Sequence, residues 1–249
     1  MSIGESGKLF IGTSGFYYNH WIGKFYPEDL PKAKWLTYYA ERFSSLEINS
    51  SFYHLPKEKT LTSWYKKTSS NFKFSLKGSK FITHTKRLKN VKEDVKRFVE
   101  LSLLLKEKLG VILFQLPGSL RYNYETLKEF LNTLPQREGI RYAIEFRDLS
   151  WFKEDIYNLL SIYNVALCNI SSPKVHDIFE VTSSFLYIRF HGLKRWYNYN
   201  YTEEDLLPWA EFIQKERGKG KDVYVYFNND ASGYAIENTN LLKTLIEEV

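Results

Sequence analysis

The sequence has 249 residues, of which 43% are hydrophobic and 26% charged, with a formal net charge of +6. These values are typical of a globular protein with one large domain or two small ones, and they exclude a disordered chain or a strongly basic tail. The single cysteine, Cys168, excludes an internal disulfide and a cysteine-based zinc cluster. The first ten residues lack a signal-like apolar run and no stretch is long enough to cross a bilayer, so we expect a cytoplasmic protein without membrane association.

Eight segments along the chain have the composition and alternation of β-strands. They are Lys8 to Gly12, Ser45 to Ser50, Phe72 to Lys77, Val111 to Leu116, Arg141 to Phe146, Val165 to Asn169, Phe185 to Phe190 and Val223 to Asn228.

Segments with apolar residues at helical spacing separate these strands. We predict helices over Lys32 to Phe43, Lys57 to Lys67, Lys92 to Lys106, Tyr124 to Thr133, Trp151 to about Tyr163 with Ser150 as its N-cap, Glu203 to Arg217, and Ala235 to Glu248. The stretch from Ile170 to Ser184 is too short for a full helix and two loops, so the crossover between strands 6 and 7 is predicted to be shortened.

This alternation predicts a TIM-type (β/α)8 barrel, formed as a single domain over residues 1–249. A doubly wound open sheet is the alternative. It is disfavoured in its dinucleotide-binding form, because no G-x-G-x-x-G motif follows the first strand.

Within the strands, alternate residues are apolar. The residues between them, which face the other side of the sheet, include charged and amide side chains near the strand ends. In a (β/α)8 barrel the functional residues lie at the C-terminal ends of the strands. The polar set therefore predicts a site at the C-terminal mouth, although a buried ion network that only fills the interior would give the same pattern.

Four residues are the candidates for catalysis. Glu47 and Glu145 are placed for acid–base chemistry or, with His191, for binding a divalent ion, and two such carboxylates also match a glycosidase. Lys77 could form a Schiff base or act as a counter-charge to a carboxylate. The identity of a metal or other cofactor is left open, as is the reaction, for which hydrolase and lyase chemistry are the options considered.

Seven further residues are predicted to bind the ligand: Asn49, Tyr53, Gln115, Arg147, Trp151, Arg189 and Asn228. Arg147 and Arg189, together with the basic loop GSKFITHTKRLK after Lys77, suit an anionic, phosphate-bearing small molecule. Nucleic acid is a second partner class, in the manner of abasic-site endonucleases, with basic side chains on the backbone and aromatic rings on bases. A non-catalytic interaction scaffold is the third hypothesis.

Several ordered motifs resemble one known family. They are IGTSGF at Ile11 to Phe16, EINSSFY at Glu47 to Tyr53, FSLKGSKFITH at Phe74 to His84, QLP at Gln115 to Pro117, EFRDLSW at Glu145 to Trp151, YIRFHG at Tyr187 to Gly192, and YFNND-x2-GYA at Tyr226 to Ala235. Together they resemble the DUF72 (YecE-like) family across essentially the whole chain. The resemblance implies a TIM-type barrel and no established activity.

Two positions depart from the pattern of that family. Asp148 stands where the resemblance leads us to expect a histidine, and Ser171 stands near the position of an expected aspartate. A mechanism that needs either side chain is therefore in doubt for this chain.

Overall fold

The computed structural model describes residues 5–175 and 177–249. All eight predicted strands are present in that part of the chain. They are β1 (Leu9–Thr13), β2 (Ser45–Ile48), β3 (Lys73–Lys77), β4 (Leu109–Gln115), β5 (Arg141–Glu145), β6 (Ala166–Ser171), β7 (Phe185–Phe190) and β8 (Asp222–Phe227).

Helices lie between most of these strands. They are α1 (Trp35–Ala40), α2 (Ser50–Tyr53), α3 (Glu58–Lys66), α4 (Lys92–Ser102), α5 (Tyr124–Leu131), α6 (Glu154–Ile162), α7 (Glu203–Gly218) and α8 (Tyr234–Glu248). Short 3-10 segments precede or follow several of them.

The strands form one sheet in the order β1-β8-β7-β6-β5-β4-β3-β2, with parallel pairing. Parallel neighbours that follow each other in sequence, with helical connections, are the pattern of a TIM-type (β/α)8 barrel, and the predicted fold class is confirmed. Residues 172–175 and 177–184, between β6 and β7, contain no helix, as the predicted short crossover requires.

The chain divides into two compact units. The first comprises Met1–Leu46, Asn169–Phe179 and Ser184–Val249, and the second comprises Glu47–Cys168 and Glu180–Ser183. The boundary therefore runs through the residues of β2 and β6. Organisation as a single domain stays a prediction.

In the first unit, β8 lies between β1 and β7. Tyr26 stacks on Trp35 with ring centroids 4.4 Å apart. At Gly12 a β-carbon would lie 1.9 Å from the carbonyl oxygen of Ser45 and 2.5 Å from the hydroxyl of Tyr39, so only glycine fits this strand position.

In the second unit, β4 lies between β3 and β5. Every residue of β4 is buried, as expected of a central parallel strand covered on both faces. The two carboxylates of its strands, Glu47 and Glu145, are buried as well, at 0% exposure. The carboxylates of Glu47 and Glu145 are therefore part of the interior of this unit. The cationic residues Lys73, Lys77 and Arg141, at strand ends, are partly exposed.

Two predicted helix starts are wrong. The helix expected from Lys32 begins at Trp35, after a 3-10 turn over Lys32–Lys34. The helix expected from Trp151 begins at Glu154, and a 3-10 turn over Leu149–Trp151 precedes it. Ser150 does not cap the helix, because its hydroxyl accepts a hydrogen bond from the backbone N–H of Tyr122 at 2.9 Å.

In the described part of the chain, no helix combines the length and apolarity that crossing a membrane requires.

Candidate functional site

The second unit gathers basic side chains around one histidine at the C-terminal ends of its strands. Lys77 is the last residue of β3, His84 lies in the following loop with Lys80 and Arg87, and Arg147 follows the end of β5. We call His84 with these four cations the His84 cluster. Because β3, β4 and β5 are parallel neighbours, their C-terminal ends lie at one edge of the sheet.

An aromatic ring connects Lys77 to His84. The ammonium of Lys77 lies 4.2 Å from the ring centroid of Phe52, and the edge of that ring meets His84 at 5.0 Å between centroids. The short helix α2, which carries Phe52, is fixed by Ser51, whose hydroxyl lies 2.7 Å from the carbonyl oxygen of Lys77 and 2.8 Å from that of Ile48. This arrangement holds the cation against a ring face.

The cations of the cluster act on the protonation of His84. Partial burial and, after it, the positive charges of Lys77, Lys80, Arg147 and Arg87 together lower the pKa of His84 to about 4. The imidazole is therefore neutral at physiological pH. A neutral ring among four cations indicates a local positive potential that disfavours any further cation and favours an anion.

The backbone of this loop is unusual. Residues Phe81–Thr85 form a π-helical turn, a rare geometry that is frequent at functional sites. Three non-glycine residues just after it, Arg87, Leu88 and Asn90, have φ values of 49°, 71° and 52°. Backbone held in a sparsely populated region requires support from its surroundings, and such strain concentrates at binding sites.

Glu145 and Arg147 form an ion pair between carboxylate Oε1 and guanidinium Nε. The Glu145 side chain is fully buried, and the Arg147 side chain is only 11% exposed. The thiol of Cys168 lies 3.9 Å from the second carboxylate oxygen. Arg147 thus belongs both to this pair and to the His84 cluster. The carboxylate of Glu145 therefore lies next to the cluster.

The other predicted residues of the second unit occupy different surroundings. The Oδ1 atom of Asn49 is buried and accepts no hydrogen bond from the residues that the structure describes, so it could serve a ligand or water. Gln115 donates from its amide to the carbonyl of Leu116 at 2.5 Å. Tyr53 is 68% exposed, whereas Trp151 is fully buried with its indole donating to the carbonyl of Leu120.

The first unit brings together the remaining predicted residues at the ends of β7 and β8. Arg189 Nη1 lies 3.5 Å from His191 Nε2, and the amide nitrogen of Asn228 lies 3.2 Å from His191 Nδ1. Both Arg189 and His191 are 0% exposed. Two hydrogen-bond donors therefore flank one buried imidazole.

Sequence reasoning missed one polar group in the first unit. His20, in the loop after β1, and Asp230, in the loop after β8, form a hydrogen-bonded pair at 2.8 Å. Both lie after strands, which was the available signal, but nothing in their spacing indicates that they meet.

The metal set suggested by sequence is not assembled. Across residues 5–175 and 177–249, no group of three or more histidine, cysteine, aspartate or glutamate side chains is arranged to hold a metal ion. Glu47, Glu145 and His191 therefore do not form such a group.

Comparison with known proteins gives a consistent result. The family model described as "Protein of unknown function DUF72" matches residues 10–249. The UPF0759 protein YunF of Bacillus subtilis is 26% identical, with 96% of this chain and 95% of that protein covered.

Solved structures of two further proteins share the fold. A DUF72 family protein from Thermotoga maritima MSB8 is 29% identical, with a TM-score of 0.87 over 96% of this chain and 99% of that one. A DUF72 family protein from Enterococcus faecalis V583 is 21% identical, with a TM-score of 0.81 over 96% of this chain and 95% of that one.

Proposed function

This chain belongs to the DUF72 family of proteins of unknown function, and on that premise we propose that it binds a small phosphate-bearing anion at the His84 cluster. The observation that carries the proposal is the convergence of Lys77, Lys80, Arg87 and Arg147 on a half-buried imidazole whose pKa they help to hold at about 4. Such a group of cations on one side of a sheet is a suitable environment for phosphate oxygens.

The side chains of the cluster differ in what they offer to the anion. Lys77 presents an ammonium beside the Phe52 ring, and the Arg147 guanidinium presents N–H groups in a planar fork. The hydroxyl of Thr83 lies 2.9 Å from His84 Nδ1. Donation from this hydroxyl would leave Nε2 as the protonated nitrogen and a neutral donor to a phosphate oxygen.

Glu145 supports a chemical role beyond binding. Its carboxylate lies beside Arg147 and would be a base or an acid next to the bound anion, as the sequence proposes for Glu145 and Glu47. The cytoplasmic location predicted from the sequence stays a prediction.

The test is a thermal-shift titration of the full chain with inorganic phosphate and pyrophosphate at fixed ionic strength. We expect the Tm to rise with ligand concentration in the wild type, and most of that rise to disappear in Lys77→Met and Arg147→Met. Lys128→Met is the matched control, because it removes one exposed positive charge from α5 of the same unit. Equal losses in all three variants would show a general charge effect and overturn the proposal.

Nucleic acid is the second candidate, and the exposed aromatic rings of the same unit favour it. Tyr53, at the end of α2, is 68% exposed, and Phe81, in the loop that carries His84, is 47% exposed. Exposed rings among cations can stack on unpaired bases. Binding of a labelled single-stranded oligonucleotide that weakens steeply with salt and in Tyr53→Ala would support this candidate, whereas unchanged anisotropy at low salt would eliminate it.

A further inference from the structure

The short helix α2 places an exposed aromatic ring beside the His84 cluster, and the binding of phosphate alone gives that ring no role. Tyr53, the last residue of α2, is 68% exposed. Its ring centroid lies 5.1 Å from that of Phe52, with the two ring planes at 88°. Phe52 is buried, and its ring also contacts the ammonium of Lys77 and the imidazole of His84. The exposed ring therefore packs against the side chain that borders two members of the cluster.

The exposed ring and the Lys77 ammonium are close enough for one small molecule to contact both. Two contacts in series connect them: 5.1 Å between the ring centroids of Tyr53 and Phe52, and 4.2 Å from the Phe52 centroid to the ammonium. The Tyr53 centroid is therefore no farther from the ammonium than these two distances laid end to end. A molecule in which a flat ring is attached to phosphate, directly or through one sugar, covers such a separation.

Two other connections at the same edge also present large apolar side chains to solvent. Phe81 begins the π-helical turn that contains His84 and is 47% exposed. Leu149 begins the 3-10 turn after β5, two positions after Arg147, and is 66% exposed. The connections after β3 and β5 thus each combine a cation of the cluster with an exposed apolar side chain.

This combination favours a ligand with an apolar part. Single exposed apolar residues are common on protein surfaces and need no function. Here three of them, from three connections, accompany the cations of one site, and small-molecule sites combine apolar walls with a few polar groups. Inorganic phosphate would use only the cations. Tyr53 is the most exposed of the three, and its flat ring is the side chain suited to stacking on a second ring.

We propose that the ligand of the His84 cluster is a phosphate monoester with a planar aromatic group, whose phosphate binds the cations and whose ring stacks on Tyr53. The phosphate of this ligand is the anion of the proposed function, on which the inference rests. Two kinds of compound share this chemistry. A nucleoside monophosphate carries its base on a sugar, and an aryl phosphate carries its ring directly on a phosphate oxygen.

Isothermal titration calorimetry of the full chain tests the aromatic group. The ligands are inorganic phosphate, ethyl phosphate, phenyl phosphate and adenosine 5′-monophosphate (AMP), of which the last two carry a ring. We expect phenyl phosphate or AMP to bind the wild type at least about fivefold more tightly than ethyl phosphate, the lower end of what stacking on an aromatic side chain contributes. Tighter binding of phenyl phosphate identifies an aryl ester, and tighter binding of AMP identifies a nucleotide.

Variants of Tyr53 show whether its ring is responsible. Tyr53→Leu keeps an apolar side chain without the ring, so most of the preference over ethyl phosphate should disappear, while inorganic phosphate should bind as in the wild type. Tyr53→Phe keeps the ring and should keep the preference. Tyr163→Leu is the matched control, because Tyr163 follows α6 and precedes the N-terminal end of β6, away from the cluster. It should bind every ligand as the wild type does.

The outcomes separate this inference from the proposed function. Equal affinities of the wild type for ethyl phosphate and both ring-bearing ligands would overturn the inference and leave phosphate binding at the cluster intact. A preference for the ring that survives unchanged in Tyr53→Leu would also overturn it. Absence of binding by every ligand, inorganic phosphate included, would overturn the proposed function itself.

Discussion

His84 illustrates how the neighbours of a side chain set its protonation. The ring is half-buried, and the charges of Lys77, Lys80, Arg147 and Arg87 act on it in the same direction as burial. The sequence identified the basic loop that contains His84, but it could not show that Arg147, from a different loop, faces the same ring.

The lowered pKa of His84 predicts a pH dependence of stability. The pKa falls from 6.5 to about 4 on folding, so the unfolded chain binds more protons between these values. The free energy of unfolding should therefore decrease as the pH falls from 6.5 towards 4, by about 1 kcal/mol from this residue, because solvent screens a half-exposed ring.

Urea unfolding of the wild type and His84→Gln at pH 7 and pH 4.5 measures this contribution. We expect the wild type to lose more stability than the variant across that interval. An identical loss in both proteins would contradict the assignment to His84.

Tyr39 gives a second prediction for a single residue. Its hydroxyl accepts from the backbone N–H of Thr13 at 2.8 Å and donates to the carbonyl of Ser45 at 3.1 Å, and the side chain is 0% exposed. Tyr39→Phe leaves both backbone groups without this partner and should lower the free energy of unfolding by about 2 kcal/mol. Tyr163→Phe, which removes an exposed bond to Asn132, is the control and should change little.

Sequence reasoning reaches residues on one strand more easily than residues brought together by folding. Glu145 and Arg147 are only two positions apart at the end of one strand, so the sequence alone places them near each other. His20 and Asp230 are 210 positions apart, and their contact exists only in the folded chain. For Ser150 the local pattern was misleading. It predicted a helix N-cap, but the Ser150 hydroxyl instead accepts a hydrogen bond from the backbone N–H of the distant Tyr122.

The strands and the longer helices were predictable because each has a buried face of regular period, whereas the short helix α2 (Ser50–Tyr53) was not predicted. α4 buries Val95, Phe98, Val99 and Ser102, which is the spacing read from the sequence. The ends were less predictable, since they depend on loop backbone. The segment after α4, Leu103–Lys108, contains Lys106 with φ 50° and ψ −129°, outside helical geometry.

Lys106 therefore predicts a stabilising substitution in the connection between α4 and β4. A residue with a β-carbon is strained in this conformation, and glycine adopts it freely, so Lys106→Gly should raise the free energy of unfolding by about 1 kcal/mol. The side chain is exposed, with its ammonium 5.2 Å from the Tyr65 ring centroid. Lys106→Ala removes the same contact without relieving the strain, and a matching stabilisation in the alanine variant would contradict this account.

At the level of the entire chain, the division into two units is the main organisational feature. Its boundary lies inside β2, between Leu46 and Glu47, and inside β6, between Cys168 and Asn169. If one half of such a strand unfolded, the pairing of the residues at the junction with the other half would be disrupted.

We accordingly expect equilibrium unfolding in urea to show one cooperative transition, as the predicted single domain requires. Far-ultraviolet circular dichroism and tryptophan fluorescence should give coincident midpoints. Trp209 reports on the first unit and Trp151 on the second, and both are almost fully buried. Two separated midpoints would contradict the prediction.

Cys168 is buried in β6 at 1% exposure, so the rate at which its thiol is alkylated can report how often that strand opens. It is the chain's sole thiol, so an alkylating reagent in native buffer can react at one position, and only while β6 is transiently detached. The alkylation rate at increasing reagent concentration would give the frequency of that opening directly. Because Cys168 lies 3.9 Å from Glu145, slower alkylation in the presence of phosphate would show that ligand binding restrains this strand.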